Sequence, residues 1–187
     1  MTTLISVPGI QRTSLWFRWE LVNIGRRLNV DPDFLANVMS VESGFKPEAT
    51  NPYTSATGLI QFMPTTAERL GTTVGALRGM SAEDQLFYVE RFYKPFTGRL
   101  RTPGDAYMAT FMPAYVGDPP ETILFSQGSK GYEQNKGLDK NKDGYITVGD
   151  VTGAAQRNYE RAANMTRTEV PEEEPPRPKA QGAQENG

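Results

Sequence analysis

Between Asp31 and Gly44 the stretch DPDFLANVMSVESG carries both punctuation marks of a helix. Asp31 can accept from first-turn amides, Pro32 suits the first helical position, and Gly44 stands where a left-handed residue closes a helix. Inside those limits Leu35, Val38, Met39 and Glu42 recur at i, i+3, i+4 and i+7, one face of a helix. That face is apolar and must be buried, yet its last member is a carboxylate, a group that normally occupies the solvent side. Desolvation and the negative end of the helix dipole both raise the pKa of such a group. A glutamate kept partly protonated is a suitable general acid. The plainer alternative is a helix-terminal glutamate exposed to water.

Few other side chains could share the chemistry. The 187 residues contain no cysteine and no histidine. That removes disulfides, thiol chemistry, Ser-His-Asp and Cys-His catalysis, His/Cys zinc sites and histidine pH switches. Proton transfer falls to Asp, Glu, Lys or Tyr. A net charge of −2 carries no global signal for nucleic acid or for an anionic membrane. No run approaches the roughly 20 apolar residues a membrane span needs, so no membrane insertion is expected. The start, MTTLISVPGIQRTSLW, lacks a basic region followed by an apolar run, so no secretory signal is expected. Delivery to a substrate outside the cytoplasm would then fall to another agent. The chain is long enough for one domain with a sizeable core and a tail.

Residues 1–12 read as an irregular lead-in to a domain spanning 13–167. Thr13 or Ser14 can cap a helix running to about Leu28 with Leu15, Trp19 and Val22 on one face, and Trp16 and Trp19 read as core. Gly58–Phe62 and Pro64–Leu70 read as a helical pair interrupted before Pro64 and ended by Gly71. Ser81-Ala82-Glu83-Asp84 reads as a capping box with Asp in the Glu position. The helix it starts turns Leu86, Val89 and Tyr93 inward and stops near Pro95. A further helix is expected over Asp105–Met112, with Tyr107 and Phe111 at i and i+4, and another over Asp150–Met165. No period-2 alternation is sustained, so the expected fold is mostly α. From Thr168 prolines and glutamates dominate, and residues 168–187 read as a disordered tail.

Residues 139–150 carry a separate signal. Asp139, Asn141 and Asp143 fall at positions 1, 3 and 5 of an EF-hand calcium loop, Gly144 at 6 and the Tyr145 carbonyl at 7. Position 12 is Asp150 rather than Glu, a shorter side chain that weakens ligation. A single loop without a partner loop suits a structural Ca2+ clip better than a sensor; the alternative is an acidic Asx-rich turn.

Glu42-Ser43-Gly44-Phe45, Asn51-Pro52 and Ala56-Thr57-Gly58-Leu59-Ile60-Gln61-Phe62-Met63-Pro64-Thr65-Thr66-Ala67 together resemble the catalytic core of Slt-type lytic transglycosylases, glycoside hydrolase family 23. The resemblance covers roughly residues 15–160 and implies a goose-lysozyme-like fold. The segment from Tyr107 to Pro113 and the calcium-type loop resemble versions found in bacteriophage and prophage proteins. By that resemblance Glu42 is the catalytic acid/base, and Ser43 orients it or the substrate. Gly58 and Gln61 bind the sugar N-acetyl group, and Tyr107 lines the cleft. The implied partners are peptidoglycan glycan strands and other virion or tail proteins. The implied location is a phage particle, or the host cytoplasm before release onto the periplasmic wall. Many members carry Ala-Tyr-Asn in the later helix, where this sequence has Ala106-Tyr107-Met108 and, further on, Ala114-Tyr115-Val116.

The residues also bear on mechanism. Ordinary glycoside hydrolysis uses two carboxylates about 5 to 9.5 Å apart. Between Glu48 and Glu68 there is no acid, and Glu48 sits in a Lys46-Pro47-Glu48 turn that reads as exposed. A single carboxylate suffices if the substrate supplies the nucleophile, as the 6-hydroxyl of N-acetylmuramic acid can, leaving a 1,6-anhydro sugar. The alternatives are lysozyme-type hydrolysis with Asp84 or Asp105 folded into the site, and an inactive virion structural or peptidoglycan-binding protein.

Overall fold

The computed structural model describes residues 2–179. Among these residues the helices are α1 Leu15–Leu28, α2 Pro32–Glu42, α3 Pro64–Arg69, α4 Val74–Arg78, α5 Ala82–Tyr93, α6 Pro103–Phe111, α7 Lys130–Asn135 and α8 Val148–Ala163. Four short strands, β1 Thr2–Leu4, β2 Ile123–Ser126, β3 Tyr145–Thr147 and β4 Thr168–Val170, form two antiparallel pairs, β1 with β4 and β2 with β3. The chain is mostly α, as the absence of sustained alternation implies. None of its helices is long and apolar enough to cross a membrane among the described residues.

Helix α2 is the hub, packed against α1, α6 and α8. Its ends form as its punctuation dictates. The Asp31 carboxylate accepts from the Asp33 amide at 2.9 Å, Pro32 opens the first turn, and Gly44 follows the end with a φ of 60°. Between them Leu35, Ala36, Val38 and Met39 are buried. Asn37 is fully buried too, donating to the Ala155 carbonyl of α8 at 2.9 Å and accepting from Asn158 at 2.7 Å. These bonds fix the angle between α2 and α8, because a buried amide without partners costs about 1–3 kcal/mol. Gly25 lets α1 approach the start of α2. A β-carbon there would stand 2.9 Å from the Val30 carbonyl and 3.0 Å from the Pro32 ring.

Several expectations change at this level. The expected face of α1 holds for Val22, which is buried, and for Trp19, which packs against the core; Trp16, Phe17, Leu21, Ile24 and Leu28 are buried too, whereas Leu15 is 53% exposed. Leu15 opens the first turn on its outer side, while Trp16 and Phe17 of the same turn are buried. The stretch Gly58–Phe62 is not helical but a turn whose ends bridge through Thr57 and Phe62. The lead-in is not irregular: Leu4, Ile5 and Ile10 are fully buried, and Thr2–Leu4 pair with Val170–Thr168.

The segment from Thr168 is correspondingly ordered as far as it is described. Thr168 and Val170 are buried. Arg167 donates to the buried Asp33 carboxylate at 2.6 Å, whose other oxygen takes the Ile5 amide at 2.9 Å. Further on, Glu174 accepts from the Trp16 indole at 3.2 Å, and Arg177 stacks over the same ring at 4.5 Å while pairing with Asp84. The rest of the expected tail, 180–187, lies outside the described residues.

Candidate active site

Glu42 ends α2 and is half-buried, drawn partly out of water by its place on the apolar stripe. Burial pushes its carboxyl pKa up to about 7. The opposing influence is the Tyr107 hydroxyl of α6, which is directed at the carboxylate and favours its charged form. The tyrosine answers in kind: burial and the neighbouring glutamate raise its own pKa to about 12, so it stays a proton donor. Behind them Tyr93 of α5 is fully buried, donates to the Ala106 carbonyl at 3.2 Å, and has its pKa raised by burial and by the charge of Glu42.

The turn 57–62 is joined to the end of α2 beside Glu42 through Ser43. The Thr57 amide donates to the Phe62 carbonyl at 3.0 Å, and the Phe62 amide returns the bond at 2.8 Å. Gly58 and Gln61 both adopt left-handed backbone, with φ of 87° and 52°. Gln61 donates its side-chain amide to the Ala49 and Gly58 carbonyls, both at 3.2 Å, tying the turn to the loop after α2. Ser43 directs its hydroxyl to the Leu59 carbonyl at 2.9 Å, with the Met39 carbonyl at 3.2 Å. It therefore fastens the end of α2, and with it Glu42, to the turn.

Gln85 was not singled out in the sequence, yet it is the keystone of this turn. It is fully buried on α5. Its oxygen accepts from the Leu59 amide at 2.9 Å, and its nitrogen donates to the Pro47 and Leu77 carbonyls at 2.7 and 2.8 Å. Gly58 is pressed against it so closely that a β-carbon would lie 2.4 Å from its oxygen. The available signal was the one that marked Glu42: Gln85 precedes Leu86 and shares the inward side of α5 with Val89, a polar side chain on an apolar stripe.

The two acids that could complete a hydrolytic pair are engaged elsewhere. Asp84 accepts from Ser81 at 2.8 Å at the start of α5 and pairs with Arg177. Asp105 accepts from the Arg101 and Thr102 amides, both at 2.9 Å, in the capping box of α6. No second carboxylate among the described residues perturbs Glu42.

The loop 139–150 includes β3, through which it pairs with β2. Asp139 accepts from the Tyr132 hydroxyl at 2.7 Å and from the Gly144 amide at 3.1 Å. Asn141 donates to Asp143 at 2.8 Å, and Asp143 takes the Tyr145 amide at 2.9 Å. Asp150 closes the capping box of α8, accepting from the Thr147 amide and hydroxyl at 2.9 and 2.7 Å. The donors at positions 1, 3 and 5 thus share one turn, while Asp150 is turned to the helix cap. Among the described residues no three acidic side chains converge as a metal cluster would require.

Residues 22–91 match the family model of the transglycosylase SLT domain. The matched stretch is less than half of the chain and contains Glu42, Ser43, Gly58, Gln61 and Gln85; Tyr107 and the loop 139–150 lie beyond it. The match supports a lytic-transglycosylase type of enzyme with peptidoglycan as its substrate class. No curated protein matches the chain.

Proposed function

We propose that this protein is a lytic transglycosylase that cleaves the β-1,4 bond between N-acetylmuramic acid and N-acetylglucosamine with Glu42 as its one acid/base. The observation that carries this reading is the half-buried Glu42 carboxyl, faced by the Tyr107 hydroxyl, with a pKa raised to about 7 and no second acid acting on it. At neutral pH a substantial fraction is protonated, as a general acid requires. Glu42 gives its proton to the glycosidic oxygen as the C1–O4 bond breaks. The Tyr107 hydroxyl steadies the carboxylate so formed. Glu42 then takes the proton of the muramyl 6-hydroxyl as O6 bonds to C1. No water is consumed, the glutamate is restored, and the product ends in a 1,6-anhydro ring. Gly58 and Gln61 shape the wall against which the N-acetyl group would rest. Ser43 acts by holding Glu42 to that wall.

The resemblance of the later segments to phage proteins supports a virion-associated role in local wall breach, with other virion or tail proteins as partners. Ca2+ belongs to the same proposal as a structural clip. Asp139, Asn141, Asp143, the Tyr145 carbonyl and Asp150 would supply its oxygens, once Asn141 and Asp150 exchange their present partners.

Mass spectrometry of digested peptidoglycan tests the chemistry. Anhydro-muropeptides from the wild type, and none from Glu42→Gln, are the expected result. Products carrying water at the reducing end would establish lysozyme-type hydrolysis instead, and unchanged clearing by Glu42→Gln would remove Glu42 from the reaction.

A further inference from the structure

The first turn of α5 is tied in three directions by three successive side chains. Glu83 accepts from the Ser14 hydroxyl at 2.6 Å, Asp84 pairs with Arg177 at 2.6 Å, and Gln85 bonds to Leu59, Pro47 and Leu77. The amides of a first turn have no partners within their own helix, so such caps and ties set its place. Two of these ties come from elements remote in sequence. Ser14 caps α1, accepting from the Phe17 amide at 3.0 Å. Arg177 belongs to the segment after β4, which is rich in proline and glutamate and has almost nothing apolar to bury. Trp16 holds that segment: its indole donates to Glu174 at 3.2 Å, and its ring carries the Arg177 guanidinium at 4.5 Å. One guanidinium thus joins the first turn of α1 to the first turn of α5.

The loop after α2 and this segment both line a cleft of about 590 Å³, the loop with Pro47 and Glu48 and the segment with Pro178 and Lys179. Asp84 and Gln85 link the two, one holding Arg177 and the other the Pro47 carbonyl. From Gln85 the connection runs on without a gap. Gln85 takes the Leu59 amide, the Leu59 carbonyl takes the Ser43 hydroxyl, and Ser43 follows Glu42.

We infer that Arg177 is a positioning residue for Glu42. By gripping Trp16 and Asp84 it fixes the first turn of α5 and, through Gln85 and Ser43, the seat of the turn 57–62 against the end of α2. The inference rests on the reading of Glu42 above. The grip is open to solvent, with the Arg177 and Asp84 side chains 48% and 42% exposed, so ions screen it. The cleavage rate therefore responds to ionic strength through a segment that touches no substrate.

The test uses the full chain on soluble glycan strands, well below its melting temperature, where a loss of stability alone leaves the rate unchanged. Arg177→Gln should lower kcat by about fivefold, the ceiling for an exposed ion pair. Arg177→Lys, which keeps the charge and loses the planar stack, should recover part of it. In about 0.5 M salt the wild type should fall towards the variant while Arg177→Gln barely changes. The chain has two tryptophans, so its fluorescence reports whether Trp16 remains covered. Glu174→Ala/Arg177→Ala, which removes both contacts to Trp16, should shift the emission to the red and lower kcat at least as far as Arg177→Gln. Wild-type kcat in that double variant overturns the inference, as does an unshifted spectrum or an equal salt response in wild type and Arg177→Gln. Each of these leaves the reading of Glu42 standing, whereas cleavage by Glu42→Gln removes that reading and the role of Arg177 with it.

Discussion

Glu42 and Asp139 are both carboxylates at the end of a helical stretch, and the protein drives them in opposite directions. Glu42 is desolvated among α2, α5 and α6 with one hydroxyl directed at it, so its pKa rises to about 7. Asp139 collects a phenol and several amides of its own loop, so its pKa falls. The consequences for stability are opposite too. A carboxyl whose folded pKa is raised stabilises the fold only while protonated, and stability is lost as pH climbs from its unfolded value of 4.5 towards 7. A lowered pKa contributes stability above the unfolded value and loses it as pH falls. The second pattern is what a structural turn needs. The first costs stability at neutral pH and suits a site where a reactive proton is wanted.

The largest effect expected is at Glu42. Glu42→Gln should lower wall-cleavage activity by at least ~100-fold. The same variant should melt higher than the wild type at pH 8 and match it near pH 4, with a gain of up to about 3 kcal/mol. A lower melting temperature at pH 8 would mean that Glu42 is not held against its charge.

Gln85→Leu comes next. It leaves the Leu59 amide and the Pro47 and Leu77 carbonyls without their partner, a loss of about 3 kcal/mol or more. Denaturant unfolding should show it, and activity in the folded fraction should drop as the wall 57–62 slackens. Retained stability together with full activity would show that the turn holds without its keystone.

Tyr107→Phe sharpens the comparison from the other side. The tyrosine lowers the Glu42 pKa, so its loss should move the alkaline limb of the pH–activity profile to higher pH, with a several-fold loss of rate at the optimum. A limb that stays put would separate Tyr107 from the acid. The smallest effect belongs to the loop. Added calcium should raise the melting temperature by a few degrees, and Asp139→Ala should abolish the rise. An identical melting curve with and without the ion would leave Asp139 as a hydrogen-bonded turn residue only.

Much of this was legible because it is local. Asp31, Pro32 and Gly44 delimit α2 through backbone groups within a few residues. Glu42 declares itself by its phase with Leu35, Val38 and Met39. The helix α5 falls where its capping box puts it, and α6 and α8 fall within about two residues of their expected bounds. Gln85 carried the same phase signal as Glu42. Nothing local distinguished an amide that spans three backbone groups from an ordinary polar residue near a helix start.

The closure of the molecule was decided elsewhere. Strands of three residues are too short to show alternation, and β1 and β4 find each other across nearly the whole chain. Thr168 and Val170 sit in a segment whose composition speaks for disorder. They are held because Arg167 neutralises an Asp33 that α2 has already buried. Gly58–Phe62 carries a helical pattern but takes left-handed turns at Gly58 and Gln61 because Gln85, Ser43 and Ala49 hold it there. The sequence by itself determined the helices and the one carboxylate set on an apolar face, since both follow from spacing along a single helix. Only the tertiary structure decided how dry that carboxylate is, which hydroxyl faces it and which acids are kept away from it. Those depend on groups brought together from distant parts of the chain.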